Sequence, residues 1–240
     1  MKNVVIITST SPRHVAFVDT LVSKVKIRVS LVLAIDKKTH DENFIRSENK
    51  FFKEKRFPKG LQIITSKGSN PFSTRTKELL NNLEPEIGFV FGGPLLPKNI
   101  IDIPKRGFVN LHTGLVQHHR GVDSPYWAIH EERPETIGAT LHYINTSIDT
   151  GDIIMQSQTK DLTADDTPED IFMKTCITGF DLLQEKGYHI MMGMVDPKPI
   201  LNKGKLYQIK DMSPKIMKEI REKTPKIIGN YINGNYSRSL

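Results

Sequence analysis

Val4 to Thr8 is an unbroken apolar and β-branched run, the pattern of a strand buried on both faces. The turn Ser9-Thr10-Ser11-Pro12 comes next. Ser9 or Ser11 can cap the next element, and Pro12 suits a first helical position. Val15, Val18, Leu21, Val22 and Val25 then return at helical spacing, and Val29 to Ile35 is a second strand run. Strand, capped helix and strand make a βαβ unit with parallel strands. Residues 36–60 are densely charged, with Phe44, Ile45, Phe51, Phe52 and Phe57 as their apolar members. They predict a surface helix and a turn at Pro58-Lys59-Gly60. Leu61 to Thr65 is a third strand. Asn70-Pro71 opens a helix ending near Leu79, Leu80 and Leu83. Ile87 to Phe91 is a fourth strand, stopped by Gly92-Gly93-Pro94, and Val109 to Leu111 is a fifth. This alternation predicts an α/β fold with a mostly parallel central sheet.

The alternation changes after residue 112. Leu115 to Pro134 is irregular and rich in His, Gly and Pro, and long connections of this kind usually carry function. Ala139 to Ile144 and Ile153 to Gln158 are strand runs on either side of Thr146 to Gly151. Thr167-Pro168-Glu169-Asp170 opens a long helix to about Met191, with Thr167 as its cap. Residues 197–208 predict a β-hairpin turning at Asn202-Lys203-Gly204. A short basic helix from Met212 and a poorly ordered tail, Gly229 to Leu240, complete the chain.

A length of 240 residues suits one domain with an appendage, and we divide it into residues 1–195 and a basic C-terminal extension, 196–240. No apolar run reaches the ~20 residues of a membrane span. The opening MKNVVIITST reads as a first strand and not a signal peptide. The single Cys176 excludes an internal disulfide and a multi-cysteine metal site, and its helical position reads as core. These features point to a cytoplasmic protein. Residues 198–240 carry ten Lys/Arg against three Asp/Glu, and so hold the whole net charge of +7. That excess suits an anionic partner or a solvated tail. Aromatic residues do not interleave with the basic ones, so a nucleic-acid platform is not expected.

Candidate chemistry centres on Asn110 and His112. Two residues apart on a strand, their side chains share a face. One is an amide donor and the other titrates near neutrality. A carboxylate returns at Asp149, just before a strand run. Singly, each has an ordinary reading: a strand-end turn residue, a satisfied core histidine, an Asx-turn before Gly151. The turn after the first strand offers free N–H groups at a helix N-terminus, with Ser11, Arg13 and His14 beside it. It reads equally as a phosphate site or a plain strand-to-helix turn. His112, His118, His119 and His142 fit no standard zinc spacing, so no metal is predicted.

Four features stand in order: F-G-G-P-L-L at 91–96, N-L-H at 110–112, R-G at 120–121 with P-Y-W-A-I at 125–129, and T-I-G-A-T-L-H at 136–142 leading to I-D-T-G-D-I-I at 148–154. Their order and spacing resemble the 10-formyltetrahydrofolate-dependent formyltransferases. The resemblance implies a Rossmann-like catalytic domain that moves a formyl group from the folate cosubstrate to a primary amine, without a metal. It implies catalytic roles for Asn110, His112 and Asp149. An amine adding to a formyl carbon creates an oxyanion. Asn110 can donate to it, His112 can stabilise it and carry protons, and Asp149 can raise the His112 pKa and collect a proton. The resemblance also puts the pterin between Phe91, Gly92, Gly93, Pro94, Leu95 and Leu96 on one side and Asn145, Thr146, Ser147 and Ile148 on the other. Ser11, Arg13 and Arg120 are expected at the acceptor. Thr113-Gly114-Leu115-Val116-Gln117 replaces the Ser-Leu-Leu-Pro run of many members and looks more like the amino-sugar branch. The expected acceptor is therefore the amine of a nucleotide-linked amino sugar, with glycinamide ribonucleotide as the alternative. A non-catalytic folate- or nucleotide-binding module is the alternative of another class. Methionyl-tRNA formyltransferases carry a large C-terminal domain, so that activity is not expected here. The 197–208 segment resembles the β element through which some sugar-modifying members pair, which implies a homodimer.

Overall fold

The computed structural model describes residues 2–36, 41–53, 56–67 and 71–235. Seven strands form the central sheet in the order β3-β2-β1-β4-β5-β7-β8. They are β1 (Val4–Ser9), β2 (Val29–Asp36), β3 (Ile63–Lys67), β4 (Ile87–Val90), β5 (Phe108–His112), β7 (Gly138–Tyr143) and β8 (Ile153–Gln158). The first five run parallel, and β7 and β8 are antiparallel to their neighbours. The two-sided burial predicted for β1 is literal. Val4 and Ile6 join the core on one face of the sheet, and Val5 and Ile7 join the core on the other. Each fully buried side chain of this size contributes about 1.5–3 kcal/mol.

Helices α1 (Pro12–Asp19), α2 (Glu42–Phe52) and α6 (Pro168–Met192) cover the first face. Helices α3 (Thr74–Leu83) and α4 (Lys98–Ile101) cover the second. Helix α6 starts at the predicted cap. Thr167 Oγ1 accepts from Asp170 N at 3.1 Å, and Asp170 Oδ2 accepts from Thr167 N at 3.4 Å. Cys176 lies fully buried within it, where burial pushes the thiol up to about 12. The helix expected from Asn70-Pro71 begins instead at Thr74, because Ser73 supplies the capping oxygen; Asn70 is outside the described residues. Among the described residues no helix is long and apolar enough to cross a membrane.

Two differences from the sequence reading bear on the site. The irregular stretch 115–134 contains a short strand β6 (His119–Gly121) and a helix α5 (Ser124–His130). The C-terminal segment is not a hairpin. Lys198 exchanges both backbone hydrogen bonds with Ile153, at 2.7 and 2.8 Å, while strand β9 (Lys205–Tyr207) pairs parallel with β6. The two arms of the expected hairpin thus bond different partners, one at β8 and one in the loop after β5. Gly204 makes the second seat possible, since a Cβ there would overlap the His118 backbone. The final helix α7 runs Pro214–Ile232, so Gly229 lies inside it and not in a tail. Its buried Ile220, Thr224, Ile227 and Ile228 supply the tertiary packing that stabilises a helix containing Pro225 and Gly229.

Candidate active site

Strand β5 delivers Asn110 and His112 to the carboxyl end of the parallel strands. Its register sets Asn110 opposite His142 of β7 and His112 opposite Thr140. The loop between β7 and β8 then folds back over this pair. Asp149 takes a left-handed conformation at φ 48°, and Gly151 packs where a Cβ would overlap the Tyr143 carbonyl oxygen. The turn is closed by Asn145, whose Oδ1 accepts from Ser147 N at 3.0 Å and Thr150 Oγ1 at 2.8 Å.

The Asp149 carboxylate sits at the centre. Oδ1 accepts from Asn110 Nδ2 at 3.3 Å and faces His142 Nε2 at 3.3 Å. Oδ2 accepts from Gly121 N at 2.8 Å and faces His112 Nδ1 at 3.4 Å. Arg120 braces the loop, donating from Nη1 to Ile148 O at 3.1 Å and from Nε to Gly204 O at 2.7 Å. On its far side, His112 Nε2 lies 3.0 Å from His119 O and 3.1 Å from Ser124 Oγ. The His119 carbonyl at Nε2 and the Asp149 carboxylate at Nδ1 both only accept, so each favours a hydrogen on the ring nitrogen that it faces. Gly114 is required here, because a Cβ would stand 2.5 Å from His112 Nε2 and 2.7 Å from Ser124 Oγ. That close approach accounts for the glycine in the stretch after His112.

Burial holds the His112 imidazole below the usual histidine range, against the opposing pull of Asp149. Burial alone would raise the Asp149 carboxyl, but His112, His142 and the Gly121 N–H hold it well below its usual range. The neutral-pH state is a free-base imidazole beside an ionised carboxylate. Stability therefore depends on pH through this ring. In the unfolded chain His112 titrates near 6.5, and in the fold it titrates lower. Its contribution is complete above pH 6.5 and is lost as pH falls toward the folded value, because only the unfolded chain takes the proton. The slope of unfolding free energy against pH below 6.5 is expected to flatten in His112→Gln. Equal slopes in both proteins would mean that folded His112 titrates normally.

The remaining expected site residues divide. Gly92, Gly93, Pro94, Leu95 and Leu96 come after β4 at the same end of the sheet, and Leu95 is 74% exposed. Phe91 is a correction. Its ring is buried against His14, Phe17 and Phe180, its N–H donates to Ile7 O and its C=O accepts from Thr8 Oγ1. It supports the wall from inside the core and is not part of its surface. Arg13 is a second correction. Nη1 donates to Glu48 Oε1 at 2.5 Å, its guanidinium stacks 4.9 Å over Phe44, and only 7% of the residue is exposed. Its charge clamps α1 to α2. Ser11 Oγ lies 2.6 Å from His14 Nδ1, so that hydroxyl is engaged locally. Sequence reasoning missed the structural parts of the site: the Gly121 N–H, the His119 carbonyl and Ser124. Backbone groups leave no residue-type signal, and only the R-G pair at 120–121 marked their neighbourhood.

Comparison with known proteins places the fold. The formyl transferase family pattern matches residues 1–183. Methionyl-tRNA formyltransferase of Thermodesulfovibrio yellowstonii is 34% identical over 121 residues, which cover 50% of this chain and 39% of that protein. The chain thus spans about two fifths of the length of the curated relatives it matches. Among solved structures, a sugar N-formyltransferase from a Shewanella species superposes with a TM-score of 0.65 at 21% identity, covering 88% of this chain and 78% of that one. The N-formyltransferase of Helicobacter canadensis, solved with folinic acid and dTDP-3-aminofucose, gives a TM-score of 0.65 at 17% identity, covering 89% and 73%. Glycinamide ribonucleotide transformylase 1 of Symbiobacterium toebii gives 0.59 at 17% identity, covering 80% and 89%. These superpositions establish a shared fold. Because the family match spans residues 1–183 of the 240, the chain belongs to the formyl transferase family.

Proposed function

We propose that this protein transfers a formyl group from 10-formyltetrahydrofolate to the primary amine of a nucleotide-linked amino sugar. The observation that carries the reading is the group gathered around Asp149: the Asn110 amide at 3.3 Å and the His112 imidazole nitrogen at 3.4 Å. That set suits a carbonyl carbon passing between two nitrogens. The folate supplies an activated formyl group. Gly92, Gly93, Pro94, Leu95 and Leu96 would hold its ring on the apolar side, and Asn145, Thr146, Ser147 and Ile148 on the polar side. The exposed Leu95 and the exposed turn at Asn145 fit a flat heteroaromatic ring with one apolar face and one hydrogen-bonding edge.

Asn110 donates its amide hydrogen to the oxygen on which negative charge develops, a contribution of about 3–4 kcal/mol for a donor of this kind. His112 takes the amine's proton at Nδ1 and returns it to the departing nitrogen. Asp149, ionised throughout, stabilises the imidazolium formed between those steps. In this reading residues 1–195 carry the catalysis and residues 196–240 form the extension. The setting is cytoplasmic and the working unit a homodimer, which sedimentation would test.

Support for the amino-sugar acceptor comes from neighbours of the same fold described as sugar N-formyltransferases, one of them bound to dTDP-3-aminofucose. A second reading, formylation of methionyl-tRNA, is favoured by the curated sequence matches. The two separate in one assay with 10-formyltetrahydrofolate as donor. A panel of nucleotide-linked amino sugars is compared with glycinamide ribonucleotide and methionyl-tRNA. Formamide production on an amino sugar alone is expected. Turnover confined to methionyl-tRNA or glycinamide ribonucleotide would replace the acceptor, and folate binding without turnover on any amine would favour a binding module.

A further inference from the structure

Strand β6 is three residues long, yet it supplies two backbone groups to the site. The His119 carbonyl lies 3.0 Å from His112 Nε2, and the Gly121 N–H donates to Asp149 Oδ2 at 2.8 Å. A strand this short has little stability of its own. It is held by β9. Gly204 N donates to Val116 O at 3.0 Å, Lys205 N to His118 O at 3.0 Å and Val122 N to Tyr207 O at 3.1 Å. Side chains repeat the connection. The Tyr207 ring stacks on Trp127 at 4.0 Å and 7°, and its hydroxyl donates to Glu131 Oε1. Glu131 Oε2 accepts from His119 Nε2 at 2.9 Å. The His119 ring is wholly buried and Tyr207 nearly so.

A conflict at His112 gives this chain of contacts its importance. A carboxylate 3.4 Å from Nδ1 favours the tautomer with hydrogen on Nδ1. The His119 carbonyl favours hydrogen on Nε2. Only the second leaves Nδ1 free to receive a proton. We infer that Tyr207 is a positioning residue of the C-terminal segment: through Glu131, His119 and β6 it holds His112 in the Nε2–H tautomer. The role rests on the reading of His112 as the proton carrier, while the tautomer itself is a property of the protein without substrate.

The test is a ring-nitrogen NMR spectrum of 15N-histidine-labelled full-length protein, with the His112 signals identified by their loss in His112→Gln. Tyr207→Phe keeps the stack on Trp127 and removes the hydroxyl. Glu131→Gln removes the same link from its other side. Each is expected to introduce the Nδ1–H tautomer at His112 and to lower kcat by at least about tenfold, with KM changed less than about twofold. Tyr207→Leu, which also loses the stack, is expected to exceed both. A His112 spectrum unchanged in Tyr207→Phe and Glu131→Gln overturns the inference, even if the melting temperature falls, since that pattern is bracing without control of the tautomer. Shifted spectra in a protein that formylates no amine would support the tautomer control while removing the proposed function.

Discussion

Replacing Asp149 by Asn is expected to lower formyl transfer by about 1,000-fold or more, in the range of a lost acid–base partner. The substitution keeps the volume of the side chain and removes its charge. Ionised Asp149 contacts four groups at 2.8–3.4 Å: the Gly121 N–H, the Asn110 amide and the facing nitrogens of His112 and His142. An amide at this position has one accepting atom where the carboxylate has two. It cannot stabilise an imidazolium at His112 by charge, so in the proposed reaction the proton taken from the amine would have no stable resting place. The measurement is kcat on the best acceptor, paired with the thermal unfolding midpoint. Turnover within about tenfold of the parent, at unchanged stability, would remove Asp149 from the chemistry. A midpoint shift large enough to unfold the variant at the assay temperature would be separated by testing Asn110→Ala, which leaves the carboxylate and its Gly121 contact in place.

The second large effect is on stability. Glu48→Ala is expected to cost about 3–5 kcal/mol of unfolding free energy, because it removes the Glu48 carboxylate from the buried Arg13 guanidinium. Both side chains are less than 10% exposed, and the same Glu48 oxygen also accepts from Arg13 N at 3.2 Å. The double variant Arg13→Met, Glu48→Leu removes both charges and keeps apolar volume beside Phe44. It is expected to recover most of the loss, since well-packed hydrophobic replacements of buried pairs are often neutral or stabilising. Denaturant titration of the three proteins checks both statements. A loss under about 1 kcal/mol for Glu48→Ala would mean that solvent reaches the pair. The double variant also tests the corrected role of Arg13. An unchanged acceptor KM is expected, and a large increase would return Arg13 to the acceptor site.

Asn110 and His112 were legible as a pair because strand periodicity alone puts alternate residues on one face. Asp149 was legible as a carboxylate ahead of a strand, but its distance from the pair was not. Thirty-nine residues separate Asn110 from Asp149, and only the β5–β7 register and the left-handed turn at Asp149 close that gap. Phe91 and Arg13 were misread for one reason. An aromatic before two glycines and an arginine at a helix start suit a ligand surface as well as a core, and burial decides between them. The C-terminal segment was misread because a hairpin is the local solution for two apolar runs joined by Asn-Lys-Gly. The fold instead offers Lys198 the start of β8 and offers β9 the unpaired edge of β6.

By itself the sequence determined the features that local spacing dictates. The apolar runs specify parallel strands buried on both faces, Thr167 specifies the start of the longest helix, and the ordered motifs specify the family. The tertiary structure decided the features that depend on long-range pairing: the convergence on Asp149, the meeting of His112 with the His119 carbonyl, the buried Arg13–Glu48 clamp and the course of the last forty residues. Periodicity is set by backbone geometry within a few residues and can be read along the chain. Tautomers, ion pairs and strand partners are set by which groups meet after the sheet has formed.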